Sequence, residues 1–353
     1  MRNFKKILKT VGVFLLLVCL LSVGFGALYF EGECHLYQDA REREDLSGQV
    51  TLVGCGASYM FFGFRPDVFD ETYPGLSYNL SGLRLTMNGR YELLRLELER
   101  NPIKTVLLEV SSDTLTRTRE GDGVEGDLQV LGRLTGGERL RYFFDNFSLS
   151  EYPAVYYDVV YRGMENALSL VTGRYQKENS YLVRGYFSNV QEGIYISPWF
   201  RSQYHTEVLD ETIQEEDVEG LRRIAALCRE HGAELILVDL PKTEIYNCKY
   251  ANHQFFNDWF TAFAAEEGIA YYDFNLYYWK WGLVPDPDCF GDETHLIDSG
   301  AERFSAFLAD FLLKRDRGED VSEHFYSTYH SRDIVFGYVE EDEADNPSYT
   351  ELP

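Results

Sequence analysis

Cysteine is scarce and poorly placed for a structural metal. Six occur in 353 residues, with no Cys-x-x-Cys pair and no His/Cys cluster at zinc-ligand spacing, so neither a metal nor a cofactor is expected. Basic residues are also short: 33 Lys and Arg against 58 Asp and Glu leave a formal charge of −25. The summed field of such a chain repels phosphate, which argues against nucleic acid and against close contact with anionic lipid or teichoic-acid phosphate. It suits a neutral sugar polymer, a cationic group, or a surface where metal ions screen the charge. Repeats and low-complexity tracts are absent. Tyr and Phe, by contrast, number 26 and 24, an abundance that serves core packing or stacking on glycan.

Arg2, Lys5, Lys6 and Lys9 precede an uncharged apolar run from Val11 to Phe30. About 20 apolar residues at ~1.5 Å each match the hydrocarbon core of a bilayer. The basic flank is expected to stay cytoplasmic, placing the rest outside the cell membrane behind a single span. A cleaved signal peptide is the competing reading, with Gly24-Phe-Gly26 as a small-x-small site. The run is long for a signal sequence, which favours an uncleaved anchor. Cys19 lacks the small neighbours of a lipoprotein site and reads as a thiol within the span.

Residues 31–48 read as a connector or short juxtamembrane helix. Strands are expected at Gln49–Val53, Leu76–Leu80, Lys104–Val110, Glu234–Leu240 and Ile269–Phe274, the third and fourth being apolar runs of the kind buried on both faces. Helical spacing covers Arg84–Arg100, the stripe Val218, Leu221, Ile224, Ala225 and Cys228, then Phe255–Glu267 and a long helix through Phe311. Strands alternating with such helices describe a three-layer α/β/α sandwich around a parallel sheet, over residues 49–316. An insertion from about 113 to 210 reads as helix and loop, rich in aromatics such as Tyr142, Tyr156, Tyr157 and Tyr161. Its role is either to complete the core or to act as a lid shaping an acceptor site. The acidic tail, 317–353, is expected to be disordered from Glu340. Cys55 and Cys228 read as buried thiols. Cys248 and Cys289 both follow strands at one edge, which leaves a disulfide between them open.

Open parallel sheets form sites at the carboxyl ends of their strands. Ser58 follows the first strand after Gly54-Cys-Gly56, Gly82 follows the second, Ser111 and Ser112 follow the third, and Asp292-Glu-Thr-His295 precedes the last helix. Together Ser58, His295 and Asp292 are a nucleophile, its base and the group that orients the base. The Ser58 and Gly82 N–H groups are candidate oxyanion donors. Taken singly, each feature has an ordinary reading: a serine after glycine is usually a turn residue, and Asp-x-x-His before a helix is often a cap. The order Ser, Asp, His also fits α/β-hydrolases, but Gly56-Ala-Ser-Tyr-Met60 lacks the second glycine of their nucleophile elbow.

Gly56-Ala-Ser58, Asn79-Leu-Ser-Gly82 and Asp292-Glu-Thr-His-Leu-Ile-Asp-Ser-Gly300 resemble the motifs of the GDSL/SGNH hydrolase superfamily. The chain is most similar to anchored members that work beside membrane-bound O-acyltransferases in alginate acetylation and teichoic-acid D-alanylation. Tyr59-Met-Phe-Phe-Gly-Phe-Arg-Pro66 continues the match. The resemblance covers the anchor and most of 49–110 and 217–313, not the insertion. It implies a flavodoxin-like fold, an acyl-Ser58 intermediate, His295 with Asp292 completing a triad, and Gly82 as oxyanion donor. Two departures stand out. The superfamily's asparagine has no counterpart in Glu109-Val-Ser-Ser-Asp113, where Ser111 or Ser112 is the available substitute. Tyr59 stands where many anchored members have histidine.

The function expected is an extracytoplasmic serine esterase or O-acyltransferase, moving an acetyl or other small acyl group to or from an envelope or exported polysaccharide. Its partners would be the membrane, the polysaccharide and a membrane-bound O-acyltransferase. The alternatives are a non-catalytic anchored scaffold that binds glycan or such a partner, and a lipase or thioesterase.

Overall fold

The structure is a computed structural model describing residues 2–32, 34–116, 123–172, 181–194, 204–277 and 287–339. Seven strands are present among them: β1 Leu52–Cys55, β2 Ser77–Asn79, β3 Thr105–Glu109, β4 Tyr181–Val183, β5 Tyr186–Phe187, β6 Glu234–Asp239 and β7 Ala270–Asp273. Five make a parallel sheet in the order β2-β1-β3-β6-β7. Counting only these five, the order is 2-1-3-4-5, the flavodoxin-like arrangement expected from the motifs. The strands start and stop within a few residues of the apolar runs that predict them. β1 and β3 are buried throughout, as strands covered on both faces must be.

The N-terminal helices are α1 Arg2–Gly32 and α2 Cys34–Asp45. α3 Ser58–Gly63, α4 Pro66–Phe69, α5 Met87–Arg100 and α6 Ser112–Thr116 follow the first three strands. The insertion holds α7 Gly123–Arg133, α8 Gly136–Asn146 and α9 Tyr152–Thr172. Then come α10 Glu215–His231, α11 Glu244–Lys249, α12 His253–Glu267, α13 Asp298–Asp316 and α14 Tyr329–Phe336. α5 packs with α10, and α13 with α3 and α4. Phe304, Leu308, Phe311 and Leu312 of α13 meet Met60, Phe64, Leu107, Ile236 and Val238 in one core.

The chain divides into two compact units, one of residues 1–45 and 127–180, the other of 46–126 and 181–353. The first joins α1 and α2 to the helical part of the insertion. There the buried Arg43 and Asp39 form an ion pair, and Arg43 Nη2 donates to the Arg133 carbonyl at 2.8 Å. The insertion is largely helical, as expected, and of the two roles open to it, core completion is not the one most of its aromatics play. Tyr142 is buried, but Phe144, Tyr156, Tyr157 and Tyr161 are exposed. The sheet-bearing unit claims the rest of the insertion through the β4–β5 hairpin. Arg184 and Gly185 at its turn take positive φ, and the Arg184 carbonyl accepts from Asn79 N–H at 2.9 Å.

Among the described residues no helix is long and apolar enough to cross a membrane. The expected span, 11–30, reaches past them: the side chains of Val23 and of 26–30 lie outside the described set. Cys248 and Cys289 are buried thiols not joined in a disulfide, and Cys55 and Cys228 are buried thiols as expected. The tail is more ordered than its polarity suggests. Arg332 of α14 is buried against Glu244 and Asp333 and donates to the Asn275 carbonyl at 3.1 Å. Residues beyond 339 lie outside the described set.

Asn79 ties β2 to the end of α3. Its fully buried amide nitrogen donates to the carbonyls of Met60 (3.0 Å), Phe61 (3.3 Å) and Phe64 (2.8 Å), while its oxygen accepts from Ser81 N–H at 3.1 Å. A helix end leaves such carbonyls without partners, and a buried one must find them elsewhere. Asn79→Ala should therefore cost about 2–3 kcal/mol, read from the urea unfolding midpoint. A loss below about 0.5 kcal/mol, the size of an ordinary surface change, would contradict this role.

Candidate active site

β1 stops at Cys55, and the chain turns through Gly56 and Ala57 into α3, whose first residue is Ser58. The turn is tight because β3 lies beside it. A Cβ on Gly56 would stand 2.6 Å from Glu109 Cβ and 2.8 Å from Met60 Cβ, so only glycine fits. The buried Glu109 carboxylate accepts the Ala57 N–H at 2.7 Å and faces the buried Arg90 at 3.5 Å. Arg90 also donates to the Glu109 carbonyl at 2.8 Å. A buried charge is tolerable when paired and hydrogen-bonded. Here the pair fixes the residue immediately before the nucleophile.

The loop before α13 carries the other half. Asp292 Oδ1 accepts from the N–H groups of Thr294 and His295, both at 2.8 Å, folding Asp292-Glu-Thr-His295 into a compact turn. Its Oδ2 stands 2.8 Å from His295 Nδ1. His295 Nε2 lies 2.8 Å from Ser58 Oγ. The imidazole is also held by rings of α3, with the centroid of Tyr59 5.1 Å away and that of Phe62 edge-on at 5.9 Å. The three residues singled out from sequence thus stand in hydrogen-bonding order. Burial pushes the Asp292 carboxyl up, but the bonds from His295 and from two backbone N–H groups outweigh it and hold the group well below the ordinary carboxylate range.

The expected oxyanion donors come out differently from one another. None of the described hydrogen bonds takes up the Ser58 N–H. The Gly82 N–H points to the Gly56 carbonyl at 3.3 Å, which removes it from the candidate donors, because a group closing that turn is not free for an oxyanion. The Ser111 N–H donates to Thr114 Oγ1 at 3.0 Å, and Ser111 itself is buried. Ser112 bonds the Tyr246 phenol. The third-strand block therefore builds the ground beneath the site.

Three supports escaped the sequence reading. Glu109 was legible only as a charge ending an apolar strand. Lys242 and Thr243 follow β6 and bridge the two halves. The buried Lys242 ammonium pairs with Asp239 and stands 5.2 Å from the Tyr59 ring centroid. Burial pushes that ammonium's pKa down, but Asp239 more than reverses this, so it stays charged. Thr243 donates to the Glu293 carbonyl, Oγ1 at 2.7 Å and N–H at 3.0 Å. Burial, then Asp113, raises the Tyr59 pKa well above its usual value, so the phenol beside the imidazole is neutral. The third support is β5 with the segment that follows it. Tyr186, Ser188 and the Asn189 N–H all donate to Asp298 at 2.5–2.8 Å, and Asn189 Nδ2 donates to the Leu296 carbonyl at 2.9 Å. No grouping of His, Cys, Asp and Glu fit to hold a metal occurs among the described residues.

No protein-family model and no curated protein sequence matches the chain. Solved structures to which it is similar include a GDSL-like lipase from Bacteroides thetaiotaomicron, at 12% identity and a TM-score of 0.38, covering 79% of this chain and 98% of that one. A carbohydrate acetylesterase from Sinorhizobium meliloti is similar at 12% identity and a TM-score of 0.27, covering 75% of this chain and 99% of that one. Scores of this size carry no argument, and the chemistry is read from the side chains above.

The depressed Asp292 pKa sets a pH dependence. A carboxyl held below its unfolded value stabilises the fold above that value, about 4, and loses the contribution only as pH falls further, through the folded value. The difference in urea midpoint between wild type and Asp292→Asn should be flat from pH 5 to 8 and shrink below about pH 4. A difference that stays constant on acidification below about pH 4 would show that the carboxyl titrates at its unfolded value.

Proposed function

We propose that the protein is a GDSL/SGNH-type serine esterase or O-acyltransferase acting on a small acyl ester. The observation that carries this reading is the continuous array Ser58 Oγ–His295 Nε2 and His295 Nδ1–Asp292, each link 2.8 Å. Ser58 Oγ attacks the ester carbonyl while His295 Nε2 accepts its proton, and Asp292 holds the ring and the imidazolium that forms. The Ser58 N–H is the donor assigned to the developing oxyanion. As the tetrahedral adduct collapses, the imidazolium returns the proton to the leaving alkoxide and an acyl-Ser58 ester remains. A second hydroxyl, deprotonated by His295, then takes the acyl group from Ser58, whose Oγ recovers the proton from the imidazolium as the acyl bond breaks. Water makes the protein an esterase; a sugar hydroxyl makes it a transferase.

The finer reading is an envelope or exported polysaccharide as the polymer, with a membrane-bound O-acyltransferase as partner. It rests on the motif resemblance and on the acidic charge, which suits a neutral glycan better than a polyphosphate. Localisation belongs to the same proposal. The basic flank and the apolar run from Val11 support a single anchor with the sheet-bearing unit outside the cell. Along α1, Val11, Val13, Phe14 and Leu15–Leu17 are all exposed, as side chains meant for lipid would be.

On nitrophenyl acetate the wild-type chain should turn over, with a burst if deacylation is slow. Ser58→Ala should remove turnover, and His295→Ala should lower kcat by about 10²–10⁴. Equal activity in wild type and Ser58→Ala would leave the scaffold reading in its place.

A further inference from the structure

The exposed large apolar side chains are unevenly distributed. Apart from those on α1, most of them lie on α8, on α9 and in the link between the two. On α9 they form a stripe. Tyr157, Tyr161, Met164, Leu168 and Val171 recur at intervals of four, three, four and three, on one helix face, and are between 42% and 86% exposed. The opposite face is turned to α1. Gly163 is buried there, and a Cβ on it would stand 1.9 Å from the Phe25 carbonyl oxygen, so the two backbones touch. Tyr156 Oη and Ser22 Oγ share a hydrogen bond of 2.5 Å.

We propose that the α9 stripe lies in the outer leaflet of the lipid bilayer, making the membrane attachment a packed helix pair instead of a lone span. This rests on the anchor reading given above. The contact points set the depth. Ser22 and Phe25 are 11 and 14 residues beyond Val11, about 17 and 21 Å along a helix, which is the outer half of a ~30 Å hydrocarbon core. Whatever medium receives the exposed leucines of α1 must also receive a helix laid directly against it at that level. α9 cannot itself span, because Asp158, Arg162 and Glu165 interrupt its sequence. A helix with one apolar face and charged residues elsewhere lies in the membrane plane. The stripe carries no cation of its own and so fits neutral lipid.

The test uses the full chain in phosphatidylcholine vesicles, with Cys19→Ala and Cys34→Ala as background. A polarity-sensitive nitrobenzoxadiazole label is placed on single cysteines at Leu168→Cys, at Arg162→Cys on another face of α9, and at Leu16→Cys in α1. Leu168→Cys should emit at shorter wavelength than Arg162→Cys. It should also be quenched several-fold more by lipid bearing a shallow nitroxide than by lipid bearing a deep one, with the reverse order at Leu16→Cys. Leu16→Cys embedded with Leu168→Cys in water overturns the α9 proposal and leaves the anchor standing. Leu168→Cys shielded yet unquenched by either lipid also overturns it, since protein then covers the stripe. Leu16→Cys in water removes the anchor and the proposal together.

Discussion

A 2.8 Å hydrogen bond between Ser58 Oγ and His295 Nε2 joins segments 237 residues apart, and the rest of the sheet-bearing unit serves that approach. Neither residue has chemistry alone. A serine hydroxyl is a weak nucleophile until a base reaches it, and an imidazole directs its lone pair only when the other ring nitrogen is held. The parallel sheet supplies the approach, because every strand delivers its following loop to the same edge. β1 delivers Ser58 there. The loop before α13 delivers His295, and α13 packs its apolar face against α3.

Precision comes from buried polar groups, not from the sheet alone. Arg90 and Glu109 hold the residue before the nucleophile, while Lys242 and Thr243 reach the Tyr59 ring on one side and the Glu293 carbonyl on the other. The segment Tyr186–Asn189 pins the start of α13 through Asp298. Each group is expensive to bury and becomes tolerable only in this arrangement, so the same contacts that satisfy the charges also specify the geometry.

The strands were legible because a parallel strand covered on both faces reads as an unbroken apolar run, as at Leu235–Val238 and Val106–Leu108. The triad was legible because two of its members lie in one short segment and the third follows a glycine turn. The supports were not, since Glu109 and Lys242 look like any other surface charge until the fold buries them. Gly82 misled for a related reason: a glycine marks where a backbone can approach, not where its N–H points. The buried Arg332 was not legible either, because nothing in the sequence places Glu244 opposite it. In the insertion, helical spacing of tyrosines announced helices, but spacing does not say which side meets protein.

The central claim is that Ser58 is the activated hydroxyl. The most direct measurement is labelling of the native chain with a fluorophosphonate, followed by mass mapping of the modified peptide. The adduct should sit on Ser58 alone, should be lost in His295→Ala, and should spare Ser81, Ser111 and Ser112. An unlabelled chain, or an adduct on one of those other serines, would contradict it.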